Sequence, residues 1–483
     1  MEVTVTQSVS ATLEAAAIRC GCDGEILSRF AGHLQALPLD QAARINPFAF
    51  AEDAGIAPAM AIDLFVHGAK LGLFDLEWGT VCPLCGAITN SVADIGRVAE
   101  DVVHCALCNR DAAAVLDDTV EVTFAYASPG SVLDLHRSFI TYHHHFTSSS
   151  YPYRDQWRHY HERHTVAEVK LEPGQEATLP LQLEAGQVYR LLCLDTHSSV
   201  DLDVAEDAME AVGAGTAPLT LSDSGFSPTQ VTLPAGEAAL PIVNHTDQPV
   251  WCRVLRIDLN DVMAIVDLGP PQFGRRLTGK HLLNNQAFRD CFALDELAPD
   301  LKLKLRSLTL LFTDLKGSTA LYDREGDLAA YRLVQDHFAA LKQVVRSHSG
   351  AMIKTMGDAV MAAFPTGKDG TTAAVAMMSA MQDLAGRRRG NAIGLKVGLH
   401  AGPALAITAG RSLDYFGQTV NIAARVQGLA DAGDICLTRA LNDDGDVPAL
   451  LAGAGYDGTA ELARLKGVSA EEQIYRYRSA TTR

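Results

Sequence analysis

The sequence predicts a multidomain protein whose C-terminal part is an α/β domain with a ferredoxin-like strand order. Three observations lead to this fold class. From residue 306 the apolar patterns follow the order strand, helix, strand, strand, helix, strand, which is typical of a ferredoxin-like sheet with helices on one face. Two Cys-x-x-Cys pairs near residue 100 indicate a zinc ribbon, and alternating strands between 118 and 265 indicate a β-sandwich.

Changes in composition and periodicity divide the chain into five predicted parts. The predicted boundaries are 1–80 for a helical, winged-helix-like region, 81–117 for the zinc ribbon, 118–265 for a β-sandwich regulatory domain, 266–305 for a linker and 306–483 for the C-terminal α/β domain. A Pro-Pro pair near the start of the linker breaks regular structure there.

Length and composition are those of a globular protein. The 483 residues are 48% hydrophobic and 20% charged, and no apolar run reaches the roughly 18 residues that a membrane-spanning helix needs. The N-terminus lacks the basic and apolar regions of a secretory signal. We therefore expect a soluble, cytoplasmic protein with no membrane segment.

The net charge argues against nucleic acid as a partner. Forty basic and 58 acidic side chains give a formal charge of −18, which repels polyanions. The helix in the position of a recognition helix, PAMAIDLFVHGAK, offers one lysine among mostly apolar residues. We expect this helix to pack against protein and expect no nucleic-acid binding.

Four cysteines have the spacing of a zinc site. Cys82 and Cys85 form one pair and Cys105 and Cys108 the other, with nineteen residues between the pairs. Four thiolates on two short turns can surround a tetrahedral zinc ion. No acid-base group accompanies them, so we expect a structural Zn²⁺. The alternative is four unrelated buried cysteines.

A histidine-rich segment spans 136–164 and holds seven of the sixteen histidines. Neutral imidazole binds metals and titrates near neutral pH, so a second metal site or a pH sensor is one interpretation. The other is a segment that docks domains, and the lack of a recognisable ligand spacing favours it.

Two aspartates in the C-terminal domain follow apolar strands. Asp314 ends the first strand, SLTLLFTD, and Asp358 lies in the hairpin turn MGDA. If that strand and that hairpin are neighbours, both carboxylates reach one edge of the sheet. Oxygen ligands at one point suit Mg²⁺, and a pair of such ions can serve phosphoryl transfer. The turn 316–319 behind Asp314 would present backbone N–H groups to a polyphosphate.

The helix after this turn is predicted to be amphipathic. Its apolar side is formed by Leu321, Leu328, Tyr331, Val334, Phe338, Leu341 and Val345.

Three motifs of this domain resemble those of one known family. FTDLKGST, KTMGDAVMAAF and DYFGQTVNIAARV, in this order and spacing, resemble the catalytic domain of class III adenylyl and guanylyl cyclases over residues 306–478. The resemblance implies a homodimer with two active sites at its interface, each completed by both chains. Residues 1–120 are similar to a region found ahead of some bacterial cyclases. From the domain order we infer that the N-terminal parts regulate the spacing of the two catalytic chains.

The resemblance also implies roles for individual residues. Two Mg²⁺ or Mn²⁺ ions per active site would be held by Asp314, Asp358 and the carbonyl of Leu315. The remaining implied roles are purine reading by Lys354 and Asp414, ribose orientation by Asn421, transition-state stabilisation by Arg425, and triphosphate binding by Lys466 and by the turn residues Gly317, Ser318 and Thr319.

The implied purine-reading pair favours ATP as substrate. A lysine donates towards N1 of adenine and a carboxylate accepts from its 6-amino group, whereas guanine presents the opposite pattern. The predicted activity is conversion of ATP to 3′,5′-cyclic AMP and pyrophosphate.

Several alternatives stay open at this level. The base specificity could be for GTP or a pyrimidine nucleotide, or the domain could bind nucleotide without turnover. Singly, Lys354 could be a solvated strand residue, Asp414 a turn former, and Asn421 with Arg425 a polar stripe on one helix face. Lys316 and Ser318 also stand where an apolar and an aromatic residue are usual in eukaryotic members.

Overall fold

The computed structural model describes most of the chain, in eleven segments. These are residues 7–92, 102–108, 110–113, 119–126, 145–205, 218–292, 302–317, 326–387, 394–409, 412–468 and 471–479. Within these segments, no helix has both the length and the apolar character that crossing a bilayer requires.

The N-terminal region is a helical unit packed on a small sheet. Its helices are α1 (Gln7–Cys20), α2 (Gly24–Ala36), α3 (Leu39–Ala42), α4 (Pro47–Asp53) and α5 (Pro58–Lys70). Its strands β1 (Phe74–Val81), β2 (Ile88–Val92) and β5 (Val120–Tyr126) form a sheet in the order β2-β1-β5, and β3 (Val102–Cys105) pairs with β4 (Arg110–Ala113) in a separate two-stranded sheet. The winged-helix assignment remains a prediction.

Local sequence explains where these helices begin. The Asp23 side chain accepts from the Ile26 N–H at the start of α2, and Asn46 does the same for Phe48 at the start of α4. Helix α5 is buried along residues 61–68. This burial agrees with the packing role that its apolar composition favours.

Two stacked sheets form the middle of the chain. After α6 (Arg154–His164) come β6 (Thr165–Leu171), β7 (Glu176–Leu183), β8 (Val188–Cys193), β9 (Ser198–Ala205), β10 (Leu219–Ser222), β11 (Gly225–Ser227), β12 (Gln230–Pro234), β13 (Gly236–Asn244) and β14 (Val250–Ile257). The sheet orders are β11-β10-β13-β7 and β12-β9-β8-β14-β6. Leu181 and Ile242 of the first sheet share one core with Leu191 and Val254 of the second, which makes a β-sandwich.

Two of the described histidines of the histidine-rich segment take part in packing. His161 and His164 are buried on α6, and the imidazole of His164 lies 2.8 Å from a carboxylate oxygen of Asp261. His136, His143 and His144 lie outside the described residues. The contacts of α6 therefore support the docking interpretation over a metal site.

The segment predicted as a linker is largely packed. It follows α7 (Leu259–Val266) and carries α8 (Gly279–Leu283) and α9 (Gln286–Cys291). Leu282, Leu283 and Phe288 are buried in a core that joins the N-terminal helices to the C-terminal sheet.

The C-terminal domain has the predicted ferredoxin-like order. Its strands are β15 (Lys302–Lys316), β16 (Ala351–Met356), β17 (Ala359–Phe364), β18 (Gly394–Ala409), β19 (Ser412–Phe416), β20 (Asp434–Thr438), β21 (Tyr456–Arg464) and β22 (Glu471–Ser479). Its helices are α10 (Asp327–Ser347), α11 (Gly367–Arg387), α12 (Gln418–Leu429), α13 (Arg439–Asn442) and α14 (Val447–Gly453). The sheet runs β16-β17-β15-β18-β20-β22-β21, with β19 paired to β18.

Both faces of this sheet are covered, so the prediction of helices on one face was incomplete. Leu311 and Val360 face α10 and α11 on one side. Leu310 and Phe312 face α12 and the N-terminal region on the other side. Burial on both faces explains why the first strand is an unbroken apolar run.

The apolar side predicted for the helix after the first turn was partly wrong. Helix α10 buries Val334, Leu341 and Val345, whereas Leu328 and Tyr331 are exposed in its first turns, and Leu321 lies outside the described residues.

Candidate active site

Strand register brings the two predicted metal-binding aspartates to one edge of the sheet. Thr313 of β15 pairs with Val360 of β17, and the Val360 N–H also donates to the Thr313 hydroxyl at 3.2 Å. Asp314 follows Thr313, and Asp358 precedes Val360 by two residues in the hairpin turn. The antiparallel pairing therefore places both carboxylates at the same end of adjacent strands.

The surroundings of these carboxylates suit a cation. One carboxylate oxygen of Asp358 is buried and has no hydrogen-bond partner among the described residues. Asp314 lies directly across the strand pair from Lys396, with 3.6 Å between Nζ and the carboxylate. An uncompensated buried carboxylate oxygen is costly, and a bound cation would compensate it. The residues present therefore fit a divalent metal.

The turn behind Asp314 is described only at its start. Gly317 has φ +85°, a left-handed conformation that suits glycine. The Lys316 ammonium group lies 3.3 Å from a carboxylate oxygen of Asp431. Ser318 and Thr319, the other predicted phosphate-binding residues, lie outside the described residues.

The two predicted purine-reading residues are in contact. The Lys354 ammonium group donates to a carboxylate oxygen of Asp414 at 2.6 Å, although sixty residues separate them in the chain. Strand β19 folds back along β18, where Asp414 pairs with Ile407. The second Asp414 oxygen accepts from the Tyr415 N–H at 2.8 Å. The pair is therefore a fixed donor and acceptor presented by two different strands.

Asn421 and Arg425 share an exposed face of α12, one helical turn apart. Neither side chain makes a hydrogen bond or an ion pair to any residue that the structure describes. Lys466 is likewise exposed, in the turn between β21 and β22. Within one chain the structure thus brings Asp314 near Asp358 and Lys354 into contact with Asp414, and it leaves the side chains of Asn421, Arg425 and Lys466 open to solvent.

Sequence reasoning missed Lys396 as a neighbour of the predicted metal site. It is the cross-strand partner of Asp314 in β18, and its side chain is 23% exposed. The signal was a lone lysine within the apolar strand GLKVGLH. Only the register of β15 with β18 shows that Lys396 lies opposite Asp314.

The four cysteines form a compact cluster of suitable size for zinc. The sulfur atoms of Cys82, Cys85, Cys105 and Cys108 all lie within 4.8 Å of one another. Tetrahedral zinc–thiolate bonds of about 2.3 Å put sulfur atoms roughly 3.8 Å apart. Hydrogen bonds among the four sulfur atoms lower the pKa of the Cys82 and Cys108 thiols and, together with burial, raise the pKa of the Cys85 and Cys105 thiols. The spacing of the sulfur atoms is what fits a tetrahedral ion.

Two family models match different parts of the chain. Residues 10–290, more than half of the chain, match a family of unknown function, DUF5939. The chain belongs to the DUF5939 family. Residues 302–446 match the adenylate and guanylate cyclase catalytic domain. The C-terminal part of this DUF5939 protein is thus a class III cyclase catalytic domain.

Each of the curated relatives of the DUF5939 protein described here matches a stretch about as long as one domain. An adenylate cyclase of Lachancea kluyveri is 30% identical over 169 residues, which are 30% of this chain and 9% of that protein. Adenylate cyclase 2 of Rhizobium meliloti (strain 1021) is 33% identical over 132 residues, 25% of this chain and 36% of that protein. The chain thus spans well under half the length of either relative.

Solved cyclase structures also resemble part of the chain. The adenylyl cyclase CyaB from P. aeruginosa matches 37% of this chain and 96% of that chain, at 20% identity and with a TM-score of 0.32.

Proposed function

We propose that this protein is an adenylyl cyclase that converts ATP to 3′,5′-cyclic AMP and pyrophosphate in an active site completed by a second copy of the chain. The contact between Lys354 and Asp414 is the observation that carries the proposal, because it sets a donor beside an acceptor at a fixed spacing. Lys354 would donate to N1 of adenine and Asp414 would accept from the 6-amino group. Guanine would leave both groups mismatched, and buried mismatches are strongly rejected.

The aspartate pair gives the proposal its metal site. Asp314, Asp358 and the Leu315 carbonyl would hold two divalent cations, Mg²⁺ or Mn²⁺, and the partnerless buried oxygen of Asp358 supports this assignment. When bound, such cations supply the Lewis acidity that attack of the 3′-hydroxyl on the α-phosphorus requires.

The exposed basic and amide groups would act on the rest of the substrate. Arg425 would set a permanent positive charge against the charge that develops on the α-phosphate, and Asn421 would orient the ribose. Lys466 would bind the triphosphate together with the backbone N–H groups of the turn at Gly317, Ser318 and Thr319.

A second copy of the chain would complete the site. Asn421 and Arg425 reach no described partner in their own chain. Apolar side chains next to the purine-reading pair are exposed as well: Phe416 is 64% and Met356 is 43% exposed. Exposed apolar side chains beside a functional site favour a protein interface, and homodimers are the commonest assembly.

We assign a structural Zn²⁺ to the cysteine cluster and a regulatory role to the N-terminal parts of the chain. The size and burial of the cluster support zinc. Elemental analysis of purified protein should give about one zinc per chain, lost in Cys82→Ser and retained in Cys22→Ser, which changes a cysteine outside the cluster. Equal zinc in both variants would contradict the assignment.

The activity is tested with purified full-length protein, incubated separately with ATP, GTP, CTP and UTP in the presence of Mn²⁺. We expect 3′,5′-cyclic AMP from ATP as the dominant product. A dimeric protein that binds ATP but forms no cyclic nucleotide would contradict the enzymatic proposal and favour a binding role. Cyclic GMP or a cyclic pyrimidine nucleotide as the main product would contradict the assigned base specificity.

A further inference from the structure

The end of the DUF5939 region lies against both strands that carry the proposed purine-reading pair, Lys354 and Asp414. Helices α8 and α9 span Gly279–Leu283 and Gln286–Cys291. Lys354 stands on β16 and Asp414 on β19. Side chains of this segment make hydrogen bonds to residues that lie within two positions of Lys354 and of Asp414.

On β16, the contact fixes a bulge that immediately precedes Lys354. The pairing of β16 with β17 shifts between Met352 and Lys354, which leaves Ile353 as an extra residue. The Met352 N–H donates to the Gln286 side-chain carbonyl at 2.8 Å. A β-bulge re-aims the side chains that follow it. Gln286, itself buried, therefore helps to set the direction of Lys354.

On β19, two contacts hold the residues on either side of Asp414. The Arg289 guanidinium donates to the Leu413 carbonyl at 2.6 Å, and it lies over the Tyr415 ring at 5.7 Å. The Tyr415 hydroxyl donates to the Asn284 side-chain carbonyl at 2.9 Å. Asn284 and Tyr415 are both almost completely buried, so the hydrogen bond between them is shielded from water.

The same segment is tied to the N-terminal region by a buried carboxylate. Asp63 on α5 accepts from the Asn285 side-chain amide at 2.9 Å. It also accepts from the Arg346 guanidinium of α10 at 2.7 and 3.0 Å. Polar contacts thus run from Asp63 on α5 to the residues at the end of the DUF5939 region, and from these residues to the strands that carry Lys354 and Asp414.

We propose that Asn284, Gln286 and Arg289 are positioning residues that set the geometry of the Lys354–Asp414 pair, so that the DUF5939 region controls how strictly the site selects adenine. This inference rests on the proposed cyclase function. Loss of one contact lets one strand of the pair shift, which weakens the recognition of adenine more than it slows the reaction of bound ATP.

The test compares two tyrosine-to-phenylalanine changes. Tyr415→Phe removes the hydroxyl that donates to Asn284. Tyr477→Phe is the matched control, because that buried hydroxyl donates to the Asn442 side chain at 2.6 Å, in a part of the domain remote in sequence from the pair. Gln286→Met, which cannot accept from Met352, is the second variant.

Two readouts are measured in the full-length protein. The first is the ratio of kcat/KM for ATP to that for GTP. The second is the ratio of dissociation constants for α,β-methylene-ATP and α,β-methylene-GTP with Mn²⁺, which needs no turnover.

We expect Tyr415→Phe and Gln286→Met to lower both ATP-to-GTP ratios by about fivefold, the effect of losing one buried hydrogen bond, mainly through weaker ATP binding. Tyr477→Phe should leave both ratios unchanged. Unchanged ratios in the first two variants, or an equal loss in Tyr477→Phe, would overturn the inference. A wild-type protein without turnover refutes the proposed function, whereas the binding ratios still decide the inference.

Discussion

Two aspartates of the cyclase domain differ in what surrounds their carboxylates. Asp434, at the start of β20, is 3% exposed and bonds to Arg476 at 2.7 Å and to Arg478 at 3.1 Å. Burial opposes its ionisation, but the hydrogen bonds from Arg478 and Arg476 prevail, and its pKa lies below the ordinary value. Asp358 has a buried oxygen with no such partner. The first arrangement stabilises the fold, and the second is suited to binding a cation.

Replacing each aspartate by asparagine should separate stability from activity. Asp434→Asn should lower the free energy of unfolding by about 3 kcal/mol, because two guanidinium groups lose their carboxylate. The kcat of the Asp434→Asn variant should change little. Asp358→Asn, measured without divalent metal, should leave the melting temperature unchanged or raised, because an uncompensated charge is removed.

The cyclase activity of Asp358→Asn should fall at least about 100-fold, because the metal site loses a ligand. Thermal unfolding monitored by circular dichroism and a cyclic-nucleotide assay give the two quantities. A large loss of stability in Asp358→Asn, or a retained activity, would contradict the assignment of this residue.

At the scale of elements, the position of α12 depends on a glycine in the neighbouring strand. A Cβ atom at Gly398 of β18 would lie 2.1 Å from the Gln427 backbone nitrogen. The helix can approach the sheet this closely only because no side chain intervenes. Since α12 carries Asn421 and Arg425, Gly398 also sets where these two groups lie.

A pair of glycine-to-alanine changes tests this dependence. Gly398→Ala should destabilise the protein by about 2 kcal/mol or more and should lower kcat, because α12 must move outward. Gly428→Ala, in α12 itself, is the control, since a Cβ there meets no atom within 4 Å. That change should be neutral or stabilising, because alanine favours helix over glycine. Equal melting temperatures for the two variants would show that the close approach is unimportant.

The sequence predicted those elements whose pattern lies within a short stretch of neighbouring residues. The strand order of the cyclase domain and the hairpin at Asp358 follow from periodicity and from a Gly-Asp turn, and the structure has both. The pairing of Lys354 with Asp414 could be predicted only from the resemblance to class III cyclases. Periodicity alone gives no register between strands sixty residues apart.

Other features of the fold could not be predicted because they depend on contacts between distant parts of the chain. The residues around α8 and α9 contain Pro, Gly and polar side chains and were predicted as a linker, yet they are buried between two parts of the chain. Likewise, the second covered face of the cyclase sheet needs the N-terminal region as its partner. A local sequence pattern shows that a face is apolar, but it does not identify the surface against which that face will pack.

At the scale of the whole molecule, buried histidines make stability depend on pH. Burial lowers the pKa of His161 from 6.5 to about 3, with Arg253 and His164 adding to the effect. Burial also lowers the pKa of His197, His281 and His400 to about 4. The unfolded chain binds protons at these positions below about pH 6.5, whereas the folded protein does so only near pH 3 to 4. Stability is therefore full above pH 6.5 and is lost as the pH falls towards 4.

Variants of α6 test this dependence. The melting temperature of the wild type should fall steadily between pH 7 and pH 5. His161→Gln should reduce the steepness of this fall, by about 1.4 kcal/mol per pH unit in the free energy of unfolding. His159→Gln changes an exposed histidine of the same helix and should leave the slope as it is. Parallel pH profiles for wild type and both variants would contradict the role given to burial.

The cyclase site as a whole is predicted to belong to two chains. One core joins the DUF5939 region to the cyclase sheet, so experiments on the site need the full-length chain. We expect the metal-binding aspartates of each shared site to come from one chain and Arg425 to come from the other. A pair of differently inactivated chains can then form one intact site between them.

Co-expression of Asp358→Asn with Arg425→Ala is the most direct measurement of this claim. Random pairing should restore about one quarter of the wild-type cyclic AMP production, because about half of the dimers are mixed and each mixed dimer has one intact site. Co-expression of Asp358→Asn with Asp314→Ala should restore nothing, because both changes lie in the same half of the site. Activity of the first pair no higher than the sum of its separate variants would contradict a shared active site.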